Sequence, residues 1–292
     1  MAGGLVQLGA VVLVALGAGC SAVTPPTNAP SPTVTAASVP SASPTSWPPG
    51  VARTGVVDHR ELVAAHRTGL EDTNYTVTVT ESTRWQNGSV NWRRTRVTTR
   101  DENRVFVVLD RSGTPVLRDT PLDATRVELY ARLQPPPADA KVFAALTDGG
   151  QTDYRTFTST RHLLDNGRDI RLLLSVFETR TTSRDRRNAT TMFHLGARGE
   201  PAVDRFRFVP SRSDVGDPSN VTFRLLVDDH GIVHRYRLAY TVTVKGRHLR
   251  YERTVHLSAI GTTAVRPPTW LDNITTMRPG GTIEPDSHDG SL

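Results

Sequence analysis

From residue 75 onward the chain alternates apolar and polar positions with a period of two. Tyr75, Val77 and Val79 point one way while Thr76, Thr78 and Thr80 point the other, the signature of a half-buried strand. Asn87-Gly88 is a hairpin-turn dipeptide and leads into a partner strand from Val90-Asn91-Trp92. Further strands are expected at Val105–Leu109, Val127–Leu133, Val142–Leu146 and Tyr154–Thr158. The pattern is clearest in the last third. There it runs from Val221 to Val227 and, after Gly231, through Tyr236, Leu238, Tyr240, Val242 and Val244. After Lys245-Gly246-Arg247-His248 it resumes through Leu249, Tyr251, Val255, Leu257 and Ala259. Each of these strands has one dry face and one wet face.

Two stretches follow a helical period instead. After Val57-Asp58-His59-Arg60-Glu61, where Asp58 and Glu61 have the spacing of a capping box, Leu62, Ala65, His66, Gly69 and Leu70 share one face. A second helix is expected over Asp169–Glu178, with Ile170, Leu173, Leu174 and Phe177 on its apolar side. Long meandering strands with a single buried face imply a large curved antiparallel sheet, and such a sheet needs something apolar laid across it. The expected class is therefore α+β, with one or two helices covering the sheet.

The N-terminus has neither period. Leu5–Leu16 is an apolar run closing on Gly17-Ala18-Gly19-Cys20, and with that small-residue tail, at about fifteen residues, it is shorter than the roughly twenty of a membrane-spanning helix. It reads as a lipoprotein signal over residues 1–19, with Cys20 as the new N-terminus and the lipid attachment residue. The alternative is an uncleaved N-terminal anchor, because Met1–Gly4 has no Lys or Arg. Residues 20–52, with Thr24-Pro25-Pro26-Thr27, Ser31-Pro32-Thr33 and Trp47-Pro48-Pro49-Gly50, read as an extended Pro/Ser/Thr-rich linker. A β-rich extracytoplasmic domain is expected over residues 53–277 and a polar disordered tail over 278–292.

Composition sharpens the compartment. Cys20 is the single cysteine, so the exported chain has no disulfide to rely on. Five asparagines stand in sequons, Asn74, Asn87, Asn188, Asn220 and Asn273, and are the expected N-glycan acceptors. The formal charge is +6 with a pI near 10.0, and only Lys141 and Lys245 are lysines among the 35 basic residues. The arginines are interspersed with acids, as in Arg184-Asp185-Arg186-Arg187, without zinc spacing or an aromatic RNA-binding run, and nucleic acid is not expected as a partner.

No nucleophile elbow, metalloprotease helix, phosphate loop or dinucleotide fingerprint occurs. Asp228, Asp229, His230 and His234 have ordinary turn composition, and neither a metal nor a cofactor is expected. His248 and His256 lie on the polar parity of the last strand. Trp85 and Trp92 flank the Asn87-Gly88 turn as a candidate cross-strand pair, and Trp270 after Pro267-Pro268 is expected to plug an open end of the sheet.

Val57-Asp58-His59 through Leu70 into Tyr75-Thr76-Val77, together with Tyr240-Thr241-Val242 through Ile260-Gly261 and Val265-Arg266-Pro267-Pro268-Thr269-Trp270-Leu271, resembles an uncharacterised haloarchaeal lipoprotein family defined by a domain of unknown function. More distantly, a helix followed by a long antiparallel sheet on an exported lipoprotein looks like the half-barrel of bacterial lipoprotein carriers and mycobacterial lipid-binding lipoproteins. That likeness implies a half-barrel with an apolar cavity for acyl chains. The expected protein is thus a non-enzymatic, lipid-anchored surface protein that holds a hydrophobic ligand or lipid. The alternatives are an envelope structural or interaction module and, less in keeping with the motifs, a hydrolase.

Overall fold

The computed structural model describes residues 46–115, 117, 124–133, 140–157, 167–187, 189–197 and 214–276. A two-stranded ribbon, β1 (Val51–Ala52) and β2 (Gly55–Val56), leads into helix α1 (His59–Glu71). Six strands follow: β3 (Tyr75–Trp85), β4 (Val90–Arg100), β5 (Arg104–Gly113), β6 (Arg126–Arg132), β7 (Val142–Asp148) and β8 (Gln151–Phe157). Helix α2 (Arg168–Val176) precedes β9 (Thr179–Arg187), β10 (Thr190–Ala197), β11 (Ser219–Asp228), β12 (Val233–Val244) and β13 (Arg247–Ser258), and α3 (Leu271–Thr276) ends the described chain.

These strands form one open sheet of eleven, in the order β8-β7-β6-β5-β4-β3-β13-β12-β11-β10-β9, and every adjacent pair is antiparallel. Two meanders, β3 to β8 and β9 to β13, are joined in the middle by their first and last strands. The expected α+β class with a large antiparallel sheet holds. The expected strands stopped at Thr158 and resumed at Val221, so β9 and β10 went unforeseen. The reason is visible in β9, Thr179-Arg180-Thr181-Thr182-Ser183-Arg184-Asp185-Arg186-Arg187: an edge strand needs no apolar alternation, and charge on it deters pairing with other chains.

Both helices lie on one face of the sheet. Leu62 and Val63 of α1 and Ile170, Leu173 and Leu174 of α2 are buried, in one cluster with Phe193, Phe223, Leu225, Leu238 and Tyr240 from β10, β11 and β12. Burying each such side chain stabilises by about 1.5–3 kcal/mol. Phe177, just past α2, stacks on Phe223 with ring centroids 5.1 Å apart.

Asp58 caps α1 as its spacing implied, accepting from the backbone N–H of Arg60 and Glu61. The reciprocal half of the box is taken elsewhere, because the Asp58 N–H donates to the Gly50 carbonyl at 3.1 Å. Residues 47–52, expected as the end of the linker, are packed into the domain. Trp47 sits 5.1 Å from the Phe193 ring and Val51 is 6% exposed. An indole beside two prolines loses little entropy on docking, and this one finds an aromatic partner.

Trp270 covers the face opposite the helices rather than an end of the sheet. Its indole N–H donates to Glu128 at 2.6 Å, and its ring lies 6.2 Å from Tyr154. Trp85 and Trp92 do not pair with each other: Arg247 lies 4.2 Å over the first ring and Arg94 5.7 Å over the second. The β3–β4 register places Thr83, not Trp85, opposite Trp92, and a shift just beyond that pair sets Arg84 opposite Val90. Among the described residues no helix is long and apolar enough to cross a membrane.

Candidate functional site

At the centre of the sheet, on the helix-covered face, the apolar alternation is broken by charge. Along β3 the inward positions run Tyr75, Val77, Val79, Glu81, Thr83, and Glu81 is fully buried. Its two ladder partners are both arginines, Arg94 on β4 and Arg253 on β13. Arg253 Nη1 donates to Glu81 Oε1 at 2.9 Å and the Tyr251 hydroxyl donates to the same oxygen at 2.7 Å. Arg94 pairs with the other oxygen. From above, Asp169 in the first turn of α2 pairs with Arg253 and accepts from the Tyr236 hydroxyl at 3.4 Å.

A carboxylate taken out of water is tolerated only when paired and hydrogen-bonded, and Glu81 meets that condition through three donors. Burial opposes the charge of Arg253, yet Tyr236, Glu81 and Asp169 around it outweigh that and hold the guanidinium well above its ordinary range. Burial pushes the Tyr236 hydroxyl up, so it stays protonated as a donor.

Beside this network lies a cleft between the helices and the sheet. It is lined by Leu70, Val77, Val79, Ile170, Val255 and Leu257 and by the polar groups of His66, Arg96, Asp169, His234 and Arg253, around a cavity of about 30 Å³. At its α1 side, the Val233 N–H donates to His66 Nδ1 at 3.1 Å, which places the imidazole proton on Nε2. Burial, with Asp228 partly opposing it and His234 adding to it, lowers the His66 pKa to about 4. The ring is therefore neutral at pH 7.

Asp228, Asp229 and His230 bring ligand-type atoms within 4.8 Å of one another; the Asp228 oxygens serve the β11–β12 turn, and Asp229 Oδ1 lies 2.9 Å from His230 Nδ1. Asp228 Oδ1 accepts from the N–H groups of His230 and Ile232, and Oδ2 meets His234 Nε2 at 2.8 Å. Desolvation works against the Asp228 carboxylate, but these hydrogen bonds win and its pKa is lowered. Asp229 accepts from the Thr191 N–H at 3.1 Å. The turn reading accounts for the contacts of Asp228. His248 and His256 are exposed on the face away from the helices.

Of the expected attachment residues, Asn87, Asn220 and Asn273 are exposed and Asn74 is half-buried. Cys20 and Asn188 lie outside the described residues. Glu81, Arg94, Arg96 and Arg253 were missed in the sequence, although a signal was there. Glu81 and Arg253 are charges on the parity of their strands that otherwise carries the apolar or aromatic side chains, as with Arg253 between Tyr251 and Val255, whereas Arg94 and Arg96 lie on a parity of β4 that holds Thr98 and Arg100 as well as Val90 and Trp92.

No protein-family model and no curated protein matches the chain. The resemblance to a haloarchaeal family therefore rests on the quoted residues alone. Among solved structures, a domain from Vibrio parahaemolyticus described as an outer membrane lipoprotein-sorting protein is similar over 74% of this chain and 99% of its own length, at 9% identity and a TM-score of 0.24. Superposition at that score carries no weight for function.

Proposed function

We propose that this chain is a non-enzymatic, lipid-anchored protein of the extracytoplasmic membrane face whose curved, half-barrel-like sheet and covering helices receive a hydrophobic ligand. Residues 1–19 are the signal and Cys20 is the lipid attachment site. The segment up to Trp47 is the tether, and Asn74, Asn87, Asn188, Asn220 and Asn273 are glycan acceptors. The observation that carries the ligand reading is the cleft, where Leu70, Val77, Val79, Val255 and Leu257, packed as one cluster, and Ile170 of α2 border a cavity. Its volume of about 30 Å³ holds one or two waters. A small group enters as it stands, and a long chain enters only as α1 and α2 part from the sheet.

Native mass spectrometry of the protein purified from its own membrane tests the reading. The expected spectrum contains a diacyl adduct on Cys20, glycan mass on exposed sequons and a co-purifying apolar molecule. An unmodified mass with residues 1–19 intact overturns the anchor, and protein free of any apolar molecule after gentle extraction counts against the ligand.

One observation favours a second reading, an interaction module for an acidic neighbour in the envelope. On the face away from the helices, Arg84 stands directly opposite Arg250, both exposed. Like charges in register destabilise a sheet, and an acidic partner would offset that. Salt-sensitive co-purification with an acidic surface protein, lost in R84S/R250S, distinguishes this reading from the first.

A further inference from the structure

We propose that the cleft takes a carboxylate at the head of an apolar chain, held by the guanidinium of Arg96; this rests on the ligand reading above and names its chemistry. The motive is an imbalance of charge. On the helix-covered face the network contains three guanidinium groups, Arg94, Arg96 and Arg253, and two carboxylates, Glu81 and Asp169. Arg94 and Arg253 share Glu81, and Arg253 also holds Asp169. Arg96 has no hydrogen-bond or ion-pair partner among the described residues, and its Nε is sealed from solvent without an acceptor.

Arg96 stands between Val79 and Leu109 in the ladders of β3 and β5, so its neighbours in the sheet are aliphatic. Burial, together with the like charges of Arg253 and Arg94, depresses the Arg96 pKa, and the more distant charges of Asp169 and Glu81 only partly offset it. A guanidinium remains charged even so. It lacks one negative partner, and its planar fork fits a carboxylate by two parallel N–H···O bonds. The cleft has room for that group; Arg253, which holds Asp169, stands on its polar side with His66 and His234, and Leu70, Val77, Val79, Ile170, Val255 and Leu257 form its apolar side. A single anion with an apolar tail matches both halves of this lining. His66, neutral in the fold, neither competes for the anion nor repels the tail.

The experiment titrates the mature protein with dodecanoate, dodecanol and acetate by calorimetry. Wild type is expected to bind dodecanoate at least about tenfold more tightly than dodecanol, the difference that a charge-assisted hydrogen bond supplies. Acetate, lacking the tail, binds far more weakly. R96M is expected to lose the preference for dodecanoate, keep dodecanol binding and melt no lower than wild type without ligand. R96K, which keeps the charge and loses the fork, falls between the two and replaces R96M as the deciding variant if R96M fails to fold.

Equal affinity for dodecanoate and dodecanol, or an undiminished preference in R96M, overturns the carboxylate site while leaving an apolar cleft. Acetate binding as tightly as dodecanoate reduces the site to a small-anion pocket and overturns the amphiphile. Binding of neither long-chain probe overturns both this inference and the ligand reading beneath it.

Discussion

Glu81 and Arg253 face each other in the ladder between β3 and β13, 172 residues apart in sequence and 2.9 Å apart in space. They sit where the first and last strands of the two meanders close the sheet. The ion pair thus joins two ends of the fold at its middle, and Arg94 on the next strand pins the same carboxylate from the other side. Removing the acid leaves two guanidinium groups short of a partner. E81Q, which keeps the shape and removes the charge, is expected to cost about 3–5 kcal/mol in urea unfolding. The triple change E81M/R94M/R253M is expected to cost less than E81Q alone, since no guanidinium is left facing a missing Glu81 and only Asp169, one-third exposed, loses its partner. A cost for E81Q under about 1 kcal/mol would mean that the pair is dispensable.

His66 makes the fold sensitive to mild acid. Its pKa moves from 6.5 to about 4 on folding, so between those values the unfolded chain binds the extra proton. Its contribution is complete above pH 6.5 and is lost as the pH falls through 4, about 3 kcal/mol in all. Asp58 and Asp228, whose values lie below 3.8, add losses of the same sign only at still lower pH. H66N keeps an acceptor for the Val233 N–H without a titrating group, and its stability between pH 6.5 and 4 is expected to be flatter than that of wild type. Denaturation midpoints measured across that range decide the matter.

Gly50 is fixed by geometry. Its φ is +70°, and a Cβ there would stand 2.1 Å from the Asp58 carbonyl oxygen, the same carbonyl that accepts from Leu62 N–H in the first turn of α1. G50A is expected to lower stability by more than about 1 kcal/mol, because the strained φ and the clash add. A melting temperature equal to wild type would show that the ribbon before α1 shifts freely.

Trp47 tests where the domain starts. Its ring packs on Phe193 at 5.1 Å but is only part-buried, so W47A is expected to cost about 2 kcal/mol, less than the roughly 3–5 of a fully buried indole. A chain begun at residue 53 loses Trp47 and the buried Val51 together and is expected to melt lower still. Identical unfolding curves for chains begun at residues 46 and 53 would return these residues to the linker.

Most of the strands and both larger helices were legible because burial writes itself into the period of the apolar side chains. Val77 and Val79, or Tyr236 through Val244, announce a face, and Ile170, Leu173 and Leu174 announce a stripe. β9 was invisible because an edge strand with Thr and Arg in its sequence has no face to declare. The packed Trp47 was hidden by its prolines, since composition says nothing of a partner 146 residues away. Glu81 and Arg253 were visible only as breaks in an apolar parity, and Arg94 and Arg96 sat in a strand of mixed parity; such charges become a site only once the strands that contain them are neighbours.

The sequence by itself determined most of the elements, the wet and dry faces of β3, β12 and β13 and the α1 cap, because these follow from local period, propensity and short-range hydrogen bonds. Tertiary structure alone decided that β3 pairs with β13, that Trp270 covers the face away from the helices, and that three arginines converge on two acids with Arg96 left over. Those outcomes depend on the register between strands far apart in the chain. Register is set by the fit of whole faces and not by any residue's own preference.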